Sequence, residues 1–280
     1  MSGKRPRSFY ILAGFFTLFL LFLYGPTMTI GILSFQGPEG GLTFPMRGVS
    51  TYWFADLFRQ QAVGDIWGSF SRSLVLGLMV MVTTVVVSIM GGLAFRKRFA
   101  GSGMIFYLVI TSLVIPSILI SLGVGLIFSQ SGLNVHWSTS GYGSQLTWTL
   151  PFGLLIMFAV FNRFDPSYEE AARDQGANPW QTIRHVVLPI IAPSLIGVAL
   201  FGFTLSYDEF ARTLLTSGSY NTLPLEIYGM TTNVTTPVIF ALGTLTTAFS
   251  FAIIAIFLAL AWIQAKRRKK QGSDAGKGML

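Results

Sequence analysis

The 280-residue sequence has no cysteine, which removes disulfides, thiolate metal centres and a cysteine nucleophile. Only two histidines are present. His136 has no second histidine or carboxylate near it, and no cluster with metal-ligand spacing occurs, so no metal site is expected. No glycine-rich loop ending in Lys-Ser or Lys-Thr is present, so the chain carries no phosphate loop for ATP. It has no Ser/His/Asp arrangement either. These absences exclude catalysis and ATP hydrolysis: no catalytic residue and no bound cofactor is expected of this chain. Charge is scarce too, at 11% of residues, against about 25% in an ordinary soluble domain.

Apolar residues fill the space, at 52% of the chain with a mean hydropathy of +0.62. A bilayer core takes roughly 20 mostly apolar residues per helix. Six stretches meet or approach that length: 9–33, 74–95, 104–128, 146–161, 190–205 and 237–264. The first follows Lys4, Arg5 and Arg7, as a signal peptide would. Its charge-free run continues to Leu33 with no small-x-small cleavage site, so it reads as an uncleaved span. The expected fold is an all-α membrane protein of six transmembrane helices, one domain over 1–280 with its core at about 9–264. Lysine and arginine placement orients it. With both termini in the cytoplasm, the inner side holds Lys4, Arg5, Arg7, Arg96, Lys97, Arg98, Arg163, Arg173, Arg184, Lys266, Arg267, Arg268, Lys269, Lys270 and Lys277. The outer side holds only Arg47, Arg59, Arg72 and Arg212. The net charge of +8 is thus mainly a topological signal, and the basic tail 265–280 suits anionic membrane lipid rather than nucleic acid.

The most polar stretch between two apolar runs is the segment 163–189, which from Glu170 reads EAARDQGANPWQTIRHVVLP. Local rules make it two short helices and a turn. Ser167 followed by Glu170 is a capping box, starting a helix near Tyr168. Gly176 supplies the left-handed residue that ends it. Asn178 is the next cap, with Pro179 at the first helical position and Gln181 at the third. Trp180, Ile183 and Val187 are expected on one face, and Pro189 is expected to stop or kink the chain. The plain reading is a loop between spans. Its helix-turn-helix outline does not make a DNA reader, because it is tethered between two spans.

The spacing says more. Glu170-Ala171-Ala172, three residues, Gly176, nine residues, then Val186-x-Leu188-Pro189 resembles the cytoplasmic coupling loop of binding-protein-dependent ABC importer permeases, with Val186 in place of the usual isoleucine. The resemblance implies a type I ABC importer permease fold. It implies that Glu170, Ala171, Ala172, Gly176, Leu188 and Pro189 form an ATPase-coupling loop. The implied partners are a cytoplasmic ABC ATPase dimer carrying ATP and Mg, a second permease subunit (a sister chain), and a periplasmic or extracytoplasmic solute-binding protein. The implied location is the bacterial inner membrane.

Elsewhere the residues leave alternatives. Segment 50–58 reads STYWFADLF and suits an amphipathic helix at the outer interface. Pro116, Ser117, Ser121, Gly123 and Gly125 in the third span read as close packing or as a kink lining a pathway. Segment 129–145 is an outer loop or re-entrant turn. Asp208 and Glu209 are either a functional acidic pair at membrane depth or headgroup residues, with Arg212 pairing to Asp208 at i+4. Residues 203–210 read FTLSYDEF, followed by TSG at 216–218 and LPLEIY at 223–228. These resemble the permease of spermidine/putrescine importers, except that Tyr207 and Glu209 stand where Met or Leu and Asp are usual and Arg212 adds a cation. The resemblance puts Tyr207, Asp208 and Glu209 on the substrate path of a polyamine importer. Related permeases for opines, aminophosphonates or ferric iron are the alternatives. An ion-coupled secondary carrier fits less well, since the middles of the six spans hold no charged residue.

Overall fold

The computed structural model describes residues 6–59, 64–97, 99–233 and 236–277, with the side chains of 233, 265 and 267–277 excepted. Lys4, Arg5 and Arg98, and the side chains of Arg267, Arg268, Lys269, Lys270 and Lys277, all assigned above to the inner side, lie outside the described residues. Regular structure is helical: α1 Arg7–Leu33, α2 Tyr52–Arg59, α3 Ile66–Phe95, α4 Ser102–Val114, α5 Ser117–Gln130, α6 Tyr142–Asn162 and α7 Ser167–Asp174. Then come α8 Pro179–Thr182, α9 Leu188–Tyr207, α10 Leu223–Asn233 and α11 Val238–Lys277. Two π-helical turns, Trp137–Gly141 and Ile183–Val187, precede α6 and α9. The chain divides into two compact units, Met1–Gly64 with Ile227–Phe251, and Asp65–Glu226 with Ala252–Leu280.

In the first unit, the glycine- and proline-rich start of the 34–51 segment is organised by one side chain. Gln36 is fully buried. Its amide donates to the Gly41 carbonyl at 3.1 Å and accepts from the Arg47 N–H at 2.7 Å, and an isolated bridge joins Gln36 to Val49. The Trp53 indole donates to the Gly37 carbonyl at 3.3 Å. This fixes the start of α2, which is amphipathic as its pattern requires: Trp53 and Leu57 are buried and Phe58 is exposed.

The second unit is built on α3, α6 and α9, which meet at small residues. Lipid supplies no hydrophobic drive for helices to associate, so close backbone approach and interhelical hydrogen bonds hold them. A Cβ at Gly92 would lie 2.7 Å from the Phe161 ring, one at Gly153 would lie 2.2 Å from Ser88 Oγ, and one at Gly202 would lie 3.2 Å from the Met81 Cα. Thr84 donates to Thr149 at 3.1 Å, and Thr83 shares a 2.6 Å hydrogen bond with Tyr142. Met157, Phe161, Val187, Ile191 and Val198 form a buried apolar cluster.

Among the described residues five helices are long and apolar enough to cross a membrane, or six if the bent α4–α5 pair counts as one span. Span limits differ from expectation for local reasons. α3 begins at Ile66, not Leu74, because Asp65 caps it: its carboxylate accepts the Gly68 N–H at 3.0 Å and pairs with Arg72 at 3.0 Å. Those bonds, that from Arg72 foremost, hold the Asp65 carboxyl below its usual range. The stretch expected as a single third span is broken, with α4 and α5 inclined at 107°. Pro116 lacks an N–H, and Ile115 before it is extended at ψ 129°, as residues preceding proline prefer. The fourth span starts at Trp137 rather than Leu146. Its early residues are small and polar, and they are buried against the 208–218 loop: Ser140 donates to the Thr216 carbonyl at 2.7 Å and Ser144 to the Arg212 carbonyl at 2.9 Å.

Gly153→Val tests the packing. We expect the thermal midpoint of the detergent-purified protein, followed by tryptophan fluorescence, to fall by the equivalent of about 1–3 kcal/mol. Gly197→Ala on α9, where a Cβ meets nothing within 4 Å, is expected to cause no loss.

Candidate functional site

The 163–189 segment folds as a helix pair. α7 starts at Ser167, but without the expected Ser167–Glu170 capping box. Pro166 takes the N-cap position with no side-chain cap. Asp165 Oδ1 accepts the Ser167 N–H at 3.0 Å instead, and that bond holds the Asp165 carboxyl below its usual range. Glu170 is thereby left exposed, with no side-chain hydrogen bond or ion pair among the described residues. Gly176 at φ +84° ends the helix. Its N–H donates to the Arg173 carbonyl at 2.8 Å and the Ala177 N–H to the Ala172 carbonyl at 3.0 Å, the paired bonds of a Schellman cap. Ala171 is exposed and Ala172 half-buried.

The second half starts as its sequence dictates. Asn178 accepts the Gln181 N–H at 2.9 Å, and Gln181 accepts the Asn178 N–H at 2.8 Å, with Pro179 at the first position. Pro189 does not end the helix. In a regular α-helix its ring would clash with the carbonyl four residues back. The π turn Ile183–Val187 removes that conflict by shifting the bonding, with the Leu188 N–H donating to the Ile183 carbonyl. Leu188, half-buried, and Pro189, exposed, therefore begin α9 without a break. Pro179–Tyr207 is one helical run of 29 residues, roughly 40 Å long. The extra residue of the π turn also rotates Trp180 off the face that carries Val187. Val187 is fully buried, whereas Trp180 is 65% exposed and not on a shared buried face. Between the two halves lies a shallow groove of about 400 Å³ bordered by Ala172, Gly176, Gln181 and His185.

Two residues at this end were not singled out from the sequence. Glu169 is buried, and its carboxylate bonds Arg96 at the end of α3 through one oxygen and Arg173 through the other at 3.2 Å. The i,i+4 spacing of Glu169 and Arg173 carried the signal. The role of Arg96 was hidden in a basic run that a topology argument already explained.

At the far end of α9, Tyr207 is buried and stacked on Phe203, with centroids 5.7 Å apart, and meets Phe70 edge-on. The helix ends there, so the i,i+4 pair of Asp208 and Arg212 does not form. Asp208 is exposed, with no side-chain hydrogen bond or ion pair among the described residues. Glu209 is buried and spends one oxygen on the Arg212 N–H at 2.8 Å. Arg212 is 1% exposed. Its guanidinium donates to Thr147 at 3.2 Å and Ser117 at 2.7 Å and lies 4.9 Å over the Trp148 ring. Of the three residues, Tyr207 packs, Glu209 braces the backbone, and Asp208 alone presents a carboxylate. Among the described residues no group of three His, Cys, Asp or Glu could hold a metal ion.

Comparison with known proteins places these features in context. The family described as binding-protein-dependent transport system inner membrane component matches residues 84–270. The spermidine/putrescine transport system permease protein PotC of Shigella flexneri is 27% identical, covering 98% of this chain and 99% of its own length. The putrescine transport system permease protein PotI of Escherichia coli strain K12 is 26% identical, covering 89% of each. Among solved structures, a bacterial ABC transporter involved in the import of the acidic polysaccharide alginate contains a chain with a TM-score of 0.70 at 16% identity, covering 92% of this chain and 94% of that one. A chain of the MetNI methionine ABC transporter, in inward-facing conformations, gives 0.56 at 16% identity, covering 71% and 94%.

The reciprocal cap at Asn178 is testable alone. Asn178→Ala should cost about 1 kcal/mol locally, so that hydrogen exchange at the Gln181 amide speeds up about fivefold.

Proposed function

Because the chain belongs to the family of inner membrane components of binding-protein-dependent transport systems, we propose that it is the polyamine-type permease subunit of an ATP-driven importer, coupled through the α7–α8 helix pair. It is a multi-pass inner-membrane protein and not an enzyme; ATP hydrolysis falls to a separate subunit. In this reading both termini and the helix pair face the cytoplasm. The pair docks on a cytoplasmic ATPase dimer that holds ATP and Mg. A sister permease completes the pathway, and an extracytoplasmic binding protein delivers solute to the outer mouth. The permease supplies two states, and nucleotide binding in the partner biases the equilibrium between them.

The observation that carries the reading is the continuity of α8 with α9. A force applied to exposed Trp180 is delivered through α8 to a helix that runs the depth of the core and ends at Tyr207, next to Asp208. Gly176 sets the angle between the halves. The relatives named for spermidine and putrescine transport support a cationic solute. Asp208 supports it as well, because among the described residues its carboxylate has no hydrogen bond or ion pair, while the Arg212 charge is turned away toward Ser117 and Thr147.

Two measurements test this. Glu170→Lys or Gly176→Asp should abolish ATPase copurification or ATP-driven uptake while membrane insertion persists; full association and uptake in both variants would remove the coupling assignment. Asp208→Asn should raise the KM for putrescine uptake about tenfold or more, since a charged hydrogen bond is worth about 1.5–3 kcal/mol. An unchanged KM would take Asp208 off the path. Stimulation of the ATPase by a binding protein loaded with an opine, an aminophosphonate or ferric iron would keep the importer and discard the polyamine.

A further inference from the structure

We propose that Arg96 and Glu169 form a clamp that makes α7 move as one body with the α3–α6–α9 core, so that Glu169 positions the coupling surface without touching the partner. This rests on the coupling reading above and goes beyond it. The helix pair has two attachments to the core. α8 is attached covalently, through the π turn into α9. α7 has no such continuation. Beyond its N-terminus the chain passes Pro166, and beyond its C-terminus it passes Gly176 at φ +84°, so both ends sit at turns. What holds α7 must be side chains.

Exposed ion pairs do little, because water and salt screen them. This pair is not exposed: the Arg96 and Glu169 side chains are 23% and 12% accessible. Glu169 uses both oxygens, one on Arg96 and the other on Arg173. The Arg96 guanidinium also lies over the Phe161 ring at 5.3 Å and the Phe164 ring at 5.1 Å, adding cation–π attraction in a partly desolvated place. Phe161 in turn fills the slot at Gly92, one helical turn before Arg96. One cation therefore ties the end of α3, the end of α6 and the buried face of α7. Apolar packing adds a ring contact, Phe164 against Tyr168 of α7 with centroids 6.3 Å apart. A cavity of about 650 Å³ opens beside it, lined by Phe95, Arg96, Phe106, Phe158, Phe161 and Phe164. Without the ion pair, a push on Glu170 would swing α7 about its two turns instead of moving the spans.

The absence of native cysteine makes the test direct. Spin labels on Lys97→Cys and Asp174→Cys, both exposed sites, report the distance between the end of α3 and α7 in the assembled complex with its ATPase, with and without vanadate-trapped nucleotide. With the clamp intact, the distance should be the same in both states. With Glu169→Gln the ATPase should still copurify, while the distribution broadens by roughly the 5 Å of a helical turn and shifts with nucleotide. The charge swap Arg96→Glu with Glu169→Arg should restore a single distance, since Arg173, 60% accessible, can turn into water. The clamp is overturned if the unsubstituted distance changes with nucleotide, or if Glu169→Gln leaves it narrow and unshifted. Should Glu169→Gln lose the ATPase, Arg96→Gln provides the second cut, with the same two outcomes. If the unsubstituted chain recruits no ATPase, the coupling reading itself fails, a result distinct from an assembled complex whose α7 never loosens.

Discussion

The contact among α3, α6 and α9 at glycine is the constraint on which the other features depend. In an apolar medium helices gain little from hiding apolar side chains from each other, and backbone polar groups are satisfied inside each helix. What remains is van der Waals contact at short range, which falls away when a methyl group separates two backbones. Gly92 against Phe161, Gly153 against Ser88 and Gly202 against Met81 bring the three helices to that range. They also place Thr84 against Thr149 and Thr83 against Tyr142. These contacts hold α9 against α3 and α6 along the core.

The start of α9 shows how a helix can carry proline without a break. Pro189 in a regular helix would remove a bond and push against a carbonyl. The π turn before it re-routes the bonding to the fifth residue, so the run from Pro179 to Tyr207 stays unbroken. Pro116 has no such device, and there the chain breaks into α4 and α5. The same residue type gives a continuous rod in one place and a corner in the other. The difference lies in the preceding turn: helical and over-wide before Pro189, extended at Ile115.

What could be read from the sequence divides along the same line. The Asn178–Gln181 cap, the Gly176 turn and the amphipathic α2 rest on residues within a few positions of each other, and all three formed. The apolar runs showed the long helices because composition alone sets them. The misses are non-local. The polar start of the fourth span reads as loop until Ser140 and Ser144 are seen bonded to a segment about seventy residues later. Trp180 reads as sharing a face with Val187 until a π turn, which no local rule announced, shifts the register. Ser167 looked like a cap, but Pro166 takes the N-cap position, with the Glu170 N–H on the Pro166 carbonyl and the Ser167 N–H on Asp165. Glu169 was passed over for its neighbour Glu170 because its partner Arg96 lies on another helix.

The charges beyond α9 bear on what a cation could meet. Within five residues the sequence offers two carboxylates and a guanidinium, which on one helix would largely cancel. Ending α9 at Tyr207 prevents this. Glu209 turns to brace the Arg212 N–H, and Arg212 is drawn into the unit, where hydroxyls and the Trp148 ring offset part of its desolvation. Arg212 also bonds Ser117, the first residue of α5. The corner made by Pro116 and the only exposed carboxylate of the trio are thus connected through one buried side chain four residues from Asp208. A change in the inclination of α5 would pull on Ser117, hence on Arg212 and on the turn that presents Asp208. The acidic residue and the broken helix are therefore joined through Arg212, and re-tilting α5 would disturb the turn that carries Asp208.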